Sequence, residues 1–450
     1  MGYEAGRARR IAVIGAGVSG LAAAWLLSKR HHVELFEAAD RVGGHSNTIE
    51  ASIDGRSWPV DTGFIVYNEP CYPNLTALFE HLDVPTAASD MTFSVSLDQG
   101  RLEYAGSDLA GLVAQPTNLV KPRFWSMMSD LLRFYREAPA ALAGMGDESL
   151  DDWLDARGFG PAFREDHLYP MAAAIWSTPA MEVGRYPAAA FIRFCQNHGL
   201  LQLVGRPQWR TVVGGSREYV QRLTAPLAEH IHTSTPVAAI RRDAAGVELI
   251  DASGVRRRFD SVVIATHADR ALSMLTDPSA EERRLLSAFG YSRNEAVLHR
   301  DRALMPRRRA AWTSWNYLSD GRGHDRRLSV TYWMNRLQPL GDAPNLFVTL
   351  NPLREPRADL VHARIDYEHP LFDSATFQAQ QQLWSLQGQN HTWFCGAHFG
   401  AGFHEDGVQS GLAAAEDLGG VLRPWRVADQ DGRIYRQPRA PALALAEAAA

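Results

Sequence analysis

Six residues near the start of the chain, Gly15-Ala16-Gly17-Val18-Ser19-Gly20, have the spacing of a phosphate-binding turn. They follow an apolar run at 10–14 and precede a helix-forming run, LAAAWLLSK, which is the context in which GxGxxG binds a dinucleotide. Gly15 would permit a tight turn, Gly17 would let the backbone approach a pyrophosphate, and Gly20 would let helix and strand pack closely. The helix N-terminus would present free N–H groups and its positive dipole end to the phosphates. We therefore predict a dinucleotide site here.

A carboxylate lies where the ribose of such a ligand is expected. Residues 33–37 predict a second strand, so strand, glycine turn, helix and strand form a βαβ unit with parallel strands. Glu37 ends that strand and can accept hydrogen bonds from the adenosine ribose hydroxyls. Because a carboxylate disfavours a 2′-phosphate, NADP is not expected. The sequence has no second GxGxxG, which makes a nicotinamide dehydrogenase the least favoured enzyme.

A glycine pair follows directly, in Ala38-Ala39-Asp40-Arg41-Val42-Gly43-Gly44-His45. Its backbone N–H groups would reach the pyrophosphate from the other side, and Arg41 would add positive charge. This extension resembles the flavin amine oxidase superfamily, which includes monoamine oxidases, protoporphyrinogen oxidases and phytoene desaturases. The resemblance implies FAD. Many members carry arginine after the glycine pair, where this chain has His45.

Later segments extend the resemblance through the chain. Val60–Phe64 resembles the segment along the flavin ring edge and implies contacts from Asp61, Thr62 and Gly63. Thr233–Val237 resembles the strand that meets the adenine, through Val237, and Asp260–Thr266 resembles the strand that crosses between domains, with Ala265 and Thr266 at its end. Cys395–Gly411 resembles the C-terminal flavin motif and implies contacts from Gly396 and, at the N-terminus of the last helix near the N1/C2 carbonyl edge, from Gly407 and Val408.

The whole sequence resembles most closely a bacterial group of FAD-binding oxidoreductases, through VDTGFIVYNEPCYPNL, YPMAAAIWSTP and FGAGFHEDG. Members of that group are associated with methyltransferases that resemble cyclopropane-fatty-acyl-phospholipid synthases. The resemblance therefore implies chemistry on lipid acyl chains and a lipid-modifying methyltransferase as partner. Cys395 lies in the strand rather than in the loop that tethers flavin in monoamine oxidases, so we expect non-covalent FAD.

Lysine is almost missing, since Lys29 and Lys121 are the only lysines among 46 basic residues. Monoamine oxidases and many relatives keep a lysine near flavin N5, and neither lysine lies where the resemblance would place it. The strand most like the lysine-bearing one is EAVLHR, which contains His299. We expect His299 or His267 to face the flavin instead, with His404 as a further polar group near the pocket.

These features favour hydride removal from a C–H bond of a lipid-like substrate, forming a C=C bond at the flavin. Three alternatives remain: an amine oxidase, a redox-neutral flavin isomerase or mutase, and a non-catalytic flavoprotein partner of a lipid methyltransferase. A hydrolase is not expected, because the sequence has no GxSxG.

Composition limits the partners. The net charge of −5 gives no overall basic field for nucleic acid, and the histidines lack ligand spacing for a metal. Three separated cysteines fit a reducing cytosol, and no secretory segment or membrane span is expected. One stretch, 121–135, combines apolar residues near helical spacing with flanking Lys and Arg, which would allow peripheral contact with the inner face of a membrane.

The elements predict an α/β fold in two interleaved lobes. Residues 1–75, 206–268 and 388–425 form a Rossmann-like FAD-binding lobe, a parallel sheet with a β-meander. Residues 76–205 and 269–387 form an α+β substrate-binding lobe, with the flavin ring at the junction. Residues 426–450, polar and then rich in alanine, predict a disordered tail.

Overall fold

The computed structural model describes residues 7–146, 148–176, 183–202, 205–321 and 327–436. Its strands are β1 (Arg10–Ile14), β2 (His32–Phe36), β3 (Thr48–Ile53), β4 (Arg56–Asp61), β5 (Tyr67–Asn68), β6 (Thr86–Ser89), β7 (Phe93–Leu97), β8 (Leu102–Ala105), β9 (Trp209–Val212), β10 (Ile231–His232), β11 (Val237–Asp243), β12 (Gly246–Asp251), β13 (Arg256–Phe259), β14 (Ser261–Ile264), β15 (Gly290–His299), β16 (Trp315–Asp320), β17 (Arg327–Trp333), β18 (Phe347–Leu350), β19 (Val361–Leu371) and β20 (Thr392–Phe394).

The helices surround these strands. They are α1 (Val18–Leu27), α2 (Pro73–His81), α3 (Leu109–Leu112), α4 (Pro122–Ala141), α5 (Leu150–Ala156), α6 (Pro161–Phe163), α7 (Tyr169–Trp176), α8 (Ala188–Asn197), α9 (Arg217–Thr224), α10 (Ala268–Met274), α11 (Ala280–Leu286), α12 (Met334–Leu337), α13 (Ser374–Leu383) and α14 (His404–Gly419).

A parallel sheet in the order β10-β2-β1-β14-β20 forms the first lobe. Its central strand, β1, is apolar from Ile11 to Ile14 because helices or further strands cover both faces. Helix α1 is buried on every side and packs along α14, which explains why alanine and glycine recur in both helices. The meander β11-β12-β13 extends this lobe. The predicted α/β fold with a parallel sheet is confirmed.

The second lobe is built on a seven-stranded sheet in the order β19-β15-β18-β17-β16-β7-β8. Its strands come from both sides of the long helical region, so β7 lies beside β16 although more than 200 residues separate them. The pairing of β15 with β19 places Ser292 opposite His369. Helices α4 to α8 form a separate apolar core beside this sheet.

The lobe boundaries differ from the predicted ones in one respect. Helices α10, α11 and α13, assigned to the substrate lobe from sequence, pack into the core beneath β1 and β14. A buried ion pair between Arg242 of the meander and Glu282 of α11, 2.5 Å apart, ties them to the same lobe. No break in the sequence marks this assignment, because these helices follow the crossing strand directly.

The described part of the tail, 426–436, is not disordered as predicted. Arg433 donates a hydrogen bond to the backbone carbonyl of Cys71 and lies 3.4 Å from an oxygen of Asp406. Ile434 is buried in the core shared with β14. These contacts hold the segment against α14, while residues 437–450 lie outside the described residues.

Candidate functional site

A cavity of about 1250 Å³ joins the two lobes. One end lies at the carboxyl ends of β1 and β2, where ligands bind in open parallel sheets. The other end runs beneath the seven-stranded sheet and reaches α3 and α4. Since drug-sized ligands fill roughly 300–1,000 Å³, the volume allows a large ligand or two ligands in contact.

The glycine turn after β1 has the local geometry predicted for it. Gly15 has a φ of +98°, which favours glycine, and its N–H donates to the carbonyl of Phe36 at 2.8 Å. A Cβ on Gly20 would lie 1.9 Å from the carbonyl oxygen of Gly15, whereas a Cβ on Gly17 would meet no atom within 4 Å. Gly20 therefore serves helix packing, and Gly17 leaves open space at the N-terminus of α1.

The second glycine pair packs onto the first turn. Gly43 donates its N–H to the carbonyl of Ala16, and a Cβ on Gly44 would lie 3.1 Å from the Cα of Gly17. The guanidinium of Arg41 donates to the carbonyl of Gly44 instead of facing the cavity. The pair thus closes the cradle around Gly17.

Glu37 lies at the cavity wall where the ribose is predicted. Its carboxylate accepts hydrogen bonds from the backbone N–H groups of Ala16 and Ala39 at 2.7 and 2.9 Å. These bonds fix the carboxylate at the mouth of the glycine turn. Lone pairs remain for ribose hydroxyls, because an ionised carboxylate offers about four acceptor sites.

Most of the predicted cofactor contacts line the cavity. They are Gly15, Gly17, Val18, Ser19, Glu37, Ala38, Gly44, His45, Thr62, Gly63, Val237, Ala265, Thr266 and Gly396. Two of the predicted catalytic histidines, His267 and His404, line it as well. The structure therefore brings together segments that are far apart in sequence, as the resemblance implied.

Other predicted contacts lie behind the wall. Ala16, Gly20, Arg41 and Gly43 stabilise the turns described above. Asp61 is buried and accepts from the N–H and hydroxyl of Ser216, and burial raises its pKa to about 6. It positions the loop that carries Thr62 and Gly63.

Gly407 and Val408 do not face the cavity, contrary to prediction. A Cβ on Gly407 would lie 2.8 Å from the side chains of Val18 and Ser19, so this part of α14 is used to pack on α1. Val408 is fully buried. The residues of this segment that reach the cavity are Phe403 and His404, just before them.

Five histidines converge on the middle of the cavity, between the glycine cradle and the sheet of the second lobe. They are His45, His267, His369, His398 and His404. The ring of His45 lies 5.3 Å from that of His369, and the ring of His267 stacks on Tyr291 at 4.1 Å. His404 stacks on Phe64 at 3.8 Å, and its Nε2 lies 2.5 Å from the hydroxyl of Tyr219.

Burial keeps these imidazoles neutral. Desolvation lowers the pKa of His369 to about 4 and those of His398 and His404 to about 3. It also lowers the pKa of His267, which the nearby carboxylate of Glu368 partly offsets. At neutral pH each ring therefore offers one N–H donor and one acceptor nitrogen, without adding charge.

His299 lies outside the cavity, contrary to prediction. Its Nε2 lies 2.7 Å from the hydroxyl of Thr349, and its Nδ1 accepts from the backbone N–H of Asp301. Both ring nitrogens are thus used inside the second lobe, and the side chain is fully buried. Two other residues of the same strand connect to the cavity: Tyr291 lines it, and Asn294 donates to His369 at 3.1 Å.

Both lysines of the chain make contacts outside the cavity that holds the five histidines. The Nζ of Lys29 lies 4.2 Å above the ring of Trp25 at the end of α1. Lys121 donates to the side chain of Asn118 at 3.0 Å. Neither residue lines the cavity, so no lysine amine serves this site.

The part of the cavity beneath the second lobe is apolar, and we call it the apolar branch. His167 and His198 line it beside Phe93 and Trp209. Its apolar lining residues are Met91, Phe93, Leu112, Met128, Leu131, Met171, Ala174, Ile175, Phe194, Leu200, Trp209, Trp315, Tyr332 and Leu350. Leu109 lines the cavity and is also 80% exposed, so the branch opens to the surface at α3. Arg206 is the cation on its wall within the described residues.

Sequence reasoning missed several residues of the site, namely Tyr291, Asn294, Tyr367, Glu368, His369 and His398. The three on β19 carry no motif, and only the pairing of β19 with β15 places them near the glycine cradle. His398 lies in the C-terminal motif two residues after Gly396, but nothing local in the sequence shows that its imidazole lies near His267.

The arrangement fits a flavin dinucleotide. Open space lies over Gly17 at a helix N-terminus, a carboxylate stands at the ribose position, and the buried Nε2 of His45 has no hydrogen-bond partner among the described residues. None of the three cysteines, all described and buried, lines the cavity. No helix of the described residues is both long and apolar enough to cross a bilayer, and those residues hold no group of three metal-ligating side chains.

Comparisons with known proteins agree with this geometry. The chain is 26% identical over 283 residues to the flavin-containing monoamine oxidase AofH of Mycobacterium tuberculosis, covering 60% of this chain and 59% of that relative. The match thus spans well under two thirds of the relative's length.

Solved structures share the fold. A putrescine oxidase bound to putrescine superposes with a TM-score of 0.65 at 16% identity, over 92% of this chain and 99% of that one. A fatty acid isomerase from P. acnes, which produces CLA, superposes with a TM-score of 0.61 at 16% identity, over 91% and 97%.

The family model for flavin containing amine oxidoreductases matches residues 18–300, which include the second glycine pair and the crossing strand β14. This range is more than half of the chain, and it includes Glu37 and His45, both of which line the cavity. The chain therefore belongs to the flavin containing amine oxidoreductase family.

Proposed function

We propose that this protein is an FAD-dependent oxidoreductase that removes hydride from a C–H bond of a lipid-like substrate. The observation that carries the proposal is the continuity of one cavity from the glycine cradle, past neutral histidines, into an apolar branch that opens at the surface. Bound FAD would accept the hydride and supply the redox chemistry. No cysteine reaches the cavity, which supports non-covalent FAD.

The chain's own residues would bind and orient the cofactor. The N-terminus of α1 and the backbone around Gly17 would hold the pyrophosphate, and Glu37 would hold the ribose. Thr62, Gly63 and Thr266 line the cavity and would contact the ring. The apolar walls beyond them would exclude water, which strengthens each remaining polar contact.

The apolar branch supports a substrate with a long hydrocarbon chain. Arg206 lies on its wall and offers a guanidinium that no carboxylate of the described residues pairs with. A guanidinium at that position would bind the carboxylate of a fatty acid. We therefore propose a fatty acid or fatty acyl compound, whose desaturation forms a C=C bond.

Amine oxidation is a weaker proposal for this site. An ammonium group binds against a carboxylate or between aromatic rings; the described lining carboxylates are already engaged, whereas rings such as those of Trp315 and Tyr332 remain. Asp108 caps α3, Glu37 holds the glycine turn, and Glu368 lies within 4.0 Å of Arg270 and His267. The monoamine and putrescine oxidases keep this alternative open as a second outcome of the test.

The test is anaerobic mixing of the purified, flavin-loaded protein with linoleate, benzylamine and putrescine. We expect linoleate to bleach the flavin's visible absorption and to yield a product with one more double bond. A product of unchanged oxidation state with a shifted double bond would favour the isomerase alternative, which the P. acnes enzyme supports. Bleaching by the amines alone would overturn the lipid proposal.

Arg206→Gln gives a matched version of the same test. We expect it to raise the KM for linoleate at least tenfold, since a charge-assisted hydrogen bond is worth about 1.5–3 kcal/mol. The methyl ester of linoleate, which lacks the carboxylate, should be affected far less. Equal effects on acid and ester would show that Arg206 does not bind the carboxylate.

We also propose that the mouth of the apolar branch contacts a membrane surface. Leu109, Val120 and Trp125 are 80%, 83% and 54% exposed, and Leu132 continues the stripe of Trp125 along α4. Lys121 lies among them without an acidic partner in the described residues. Exposed apolar side chains beside a cation are typical of proteins that rest on anionic bilayers.

Vesicle pelleting tests this contact. We expect the protein to pellet with phosphatidylglycerol vesicles, and Leu109→Ser with Val120→Ser to reduce pelleting. Leu422→Ser is the control, because Leu422 is 79% exposed but lies after α14, away from the mouth. An equal loss in the control, or no binding by the unaltered protein, would overturn the membrane proposal. The methyltransferase partner stays a prediction.

A further inference from the structure

Two asparagines connect a backbone amide to a histidine of the cavity. The N–H of Glu295 donates to Oδ1 of Asn351 at 3.1 Å, and Nδ2 of Asn351 donates to Oδ1 of Asn294 at 2.8 Å. Nδ2 of Asn294 then lies 3.1 Å from Nδ1 of His369. The four groups form a single hydrogen-bonded chain from β15, through the end of β18, to β19.

The direction of this chain is fixed at its start. A backbone N–H can only donate, so Asn351 must turn its oxygen toward Glu295 and its amide nitrogen toward Asn294. Asn294 then accepts with its oxygen and donates with its nitrogen. The backbone carbonyl of Ser292, 3.2 Å from the same nitrogen, requires the same orientation because a carbonyl can only accept.

His369 must therefore accept at Nδ1. A neutral imidazole carries one proton, so the proton of His369 is on Nε2. Burial lowers the pKa of His369 to about 4, which keeps the ring neutral at physiological pH. The ring lines the cavity beside His45, and His267 is the other imidazole whose charge would act on it.

We propose that His369 presents a fixed Nε2–H donor to the ligand in the flavin end of the cavity, and that Asn294 and Asn351 are positioning residues that set this tautomer. The partner it would recognise is a neutral acceptor, a carbonyl oxygen or an imine-type nitrogen, of the flavin ring or of the substrate. The assignment rests on the proposed function only in taking the ligand to be a flavin or its substrate. Strand β15 resembles the strand that carries a lysine in relatives. Here it acts through the side-chain amide of Asn294, which holds the imidazole of His369 on β19.

Asn294→Asp reverses the donor. A carboxylate at 294 still accepts from Asn351 but can only accept from His369, so the imidazole proton moves to Nδ1 and Nε2 becomes an acceptor. In the full-length protein with ¹⁵N-labelled histidine, we expect the unaltered His369 to show protonated Nε2. In Asn294→Asp above neutral pH, we expect protonated Nδ1. His369→Gln identifies the signal by its loss.

A matched control is Asn390→Asp, which makes the same chemical change at an asparagine that does not line the cavity. Asn390 is exposed and has no hydrogen bond to an imidazole in the described residues. It should leave the His369 signal unchanged. A signal from protonated Nδ1 in the unaltered protein, or the same signal in Asn294→Asp, would overturn the assignment.

Binding then tells which ligand uses the donor. We expect Asn294→Asp to weaken either FAD binding to the apoprotein or linoleate binding to the holoprotein by about tenfold, the loss of one buried hydrogen bond. A change in the FAD Kd identifies the flavin, and a change in the linoleate Kd alone identifies the substrate. If both constants match those of Asn390→Asp, the donor serves no ligand. The tautomer and the FAD Kd need no turnover, so they stay informative even if no lipid is oxidised.

Discussion

The two ends of the cavity are built from different materials. The glycine cradle consists of backbone and of missing side chains, contributed by short contiguous segments such as 15–20 and 43–45. The apolar branch and the histidine wall consist of side chains from elements far apart in sequence. The glycine cradle therefore depends on the absence of side chains. The apolar branch and the histidine wall depend on which side chains the distant strands and helices bring together.

This difference predicts opposite responses to substitution. A larger side chain in the cradle would either clash with backbone atoms, whose displacement costs much free energy, or occupy the space of the ligand. Added bulk in the apolar branch meets flexible side chains and alters the ligand's room before it alters the fold. Substitutions at the two ends should therefore separate stability, cofactor binding and substrate binding.

The largest effect is expected at Gly411, where α14 crosses α1. Gly411→Ala should destabilise the protein although alanine favours helices by about 1 kcal/mol. A Cβ there would lie 2.2 Å from the carbonyl oxygen of Ser19, so the two helices must separate. We expect a net loss of about 2 kcal/mol or more in the free energy of unfolding, measured by denaturant titration of the apoprotein. Unchanged stability would show that the helices adjust freely.

Gly17→Val tests the cradle without disturbing this packing. Because a Cβ on Gly17 meets no protein atom within 4 Å, the apoprotein should melt within about 2 °C of the unaltered apoprotein. The valine would occupy the space of the pyrophosphate, and we expect FAD affinity to fall at least 100-fold, measured by fluorescence titration. Retained FAD binding would show that the pyrophosphate lies elsewhere.

These two glycines also show what a sequence can reveal. The role of Gly17 follows from local spacing, because a turn and a helix start each leave a mark within a few residues, whereas the packing of Gly411 on Ser19 joins the two ends of the chain. His369 leaves no such mark: its place depends on the register of β15 with β19, which joins distant segments. The resemblance of its strand to the lysine-bearing strand predicts that His299 faces the flavin. Sequence alone does not show that Thr349 and Asp301 occupy both nitrogens of its ring.

Ala174→Phe tests the apolar branch. Ala174 lines the branch on α7, so a phenyl ring there would shorten the space for a hydrocarbon chain. We expect the KM for linoleate to rise about tenfold, equivalent to 1.4 kcal/mol, while the bound flavin per protein stays the same. Octanoate, which need not reach α7, should be affected much less. A parallel loss of flavin would mean that the substitution disturbs the whole cavity.

The smallest effect on the cavity is expected at His299, a buried histidine outside it. Burial lowers its pKa to about 4, below the 6.5 of an exposed histidine, so between these values the unfolded chain binds the proton more strongly. Its contribution to stability is complete above pH 6.5 and is lost as the pH falls toward 4.

His299→Gln should remove this dependence, since the amide can still donate to Thr349 and accept from Asp301. The slope of unfolding free energy against pH should flatten there by up to about 1.4 kcal/mol per unit, measured by denaturant titration at several pH values. The rate of flavin reduction by substrate should be unchanged, because no atom of His299 reaches the cavity. A slower flavin reduction together with an unaltered slope of stability against pH would contradict this prediction. It would show that His299 acts in the active site, so that the C-terminal end of β15 belongs to the cavity wall.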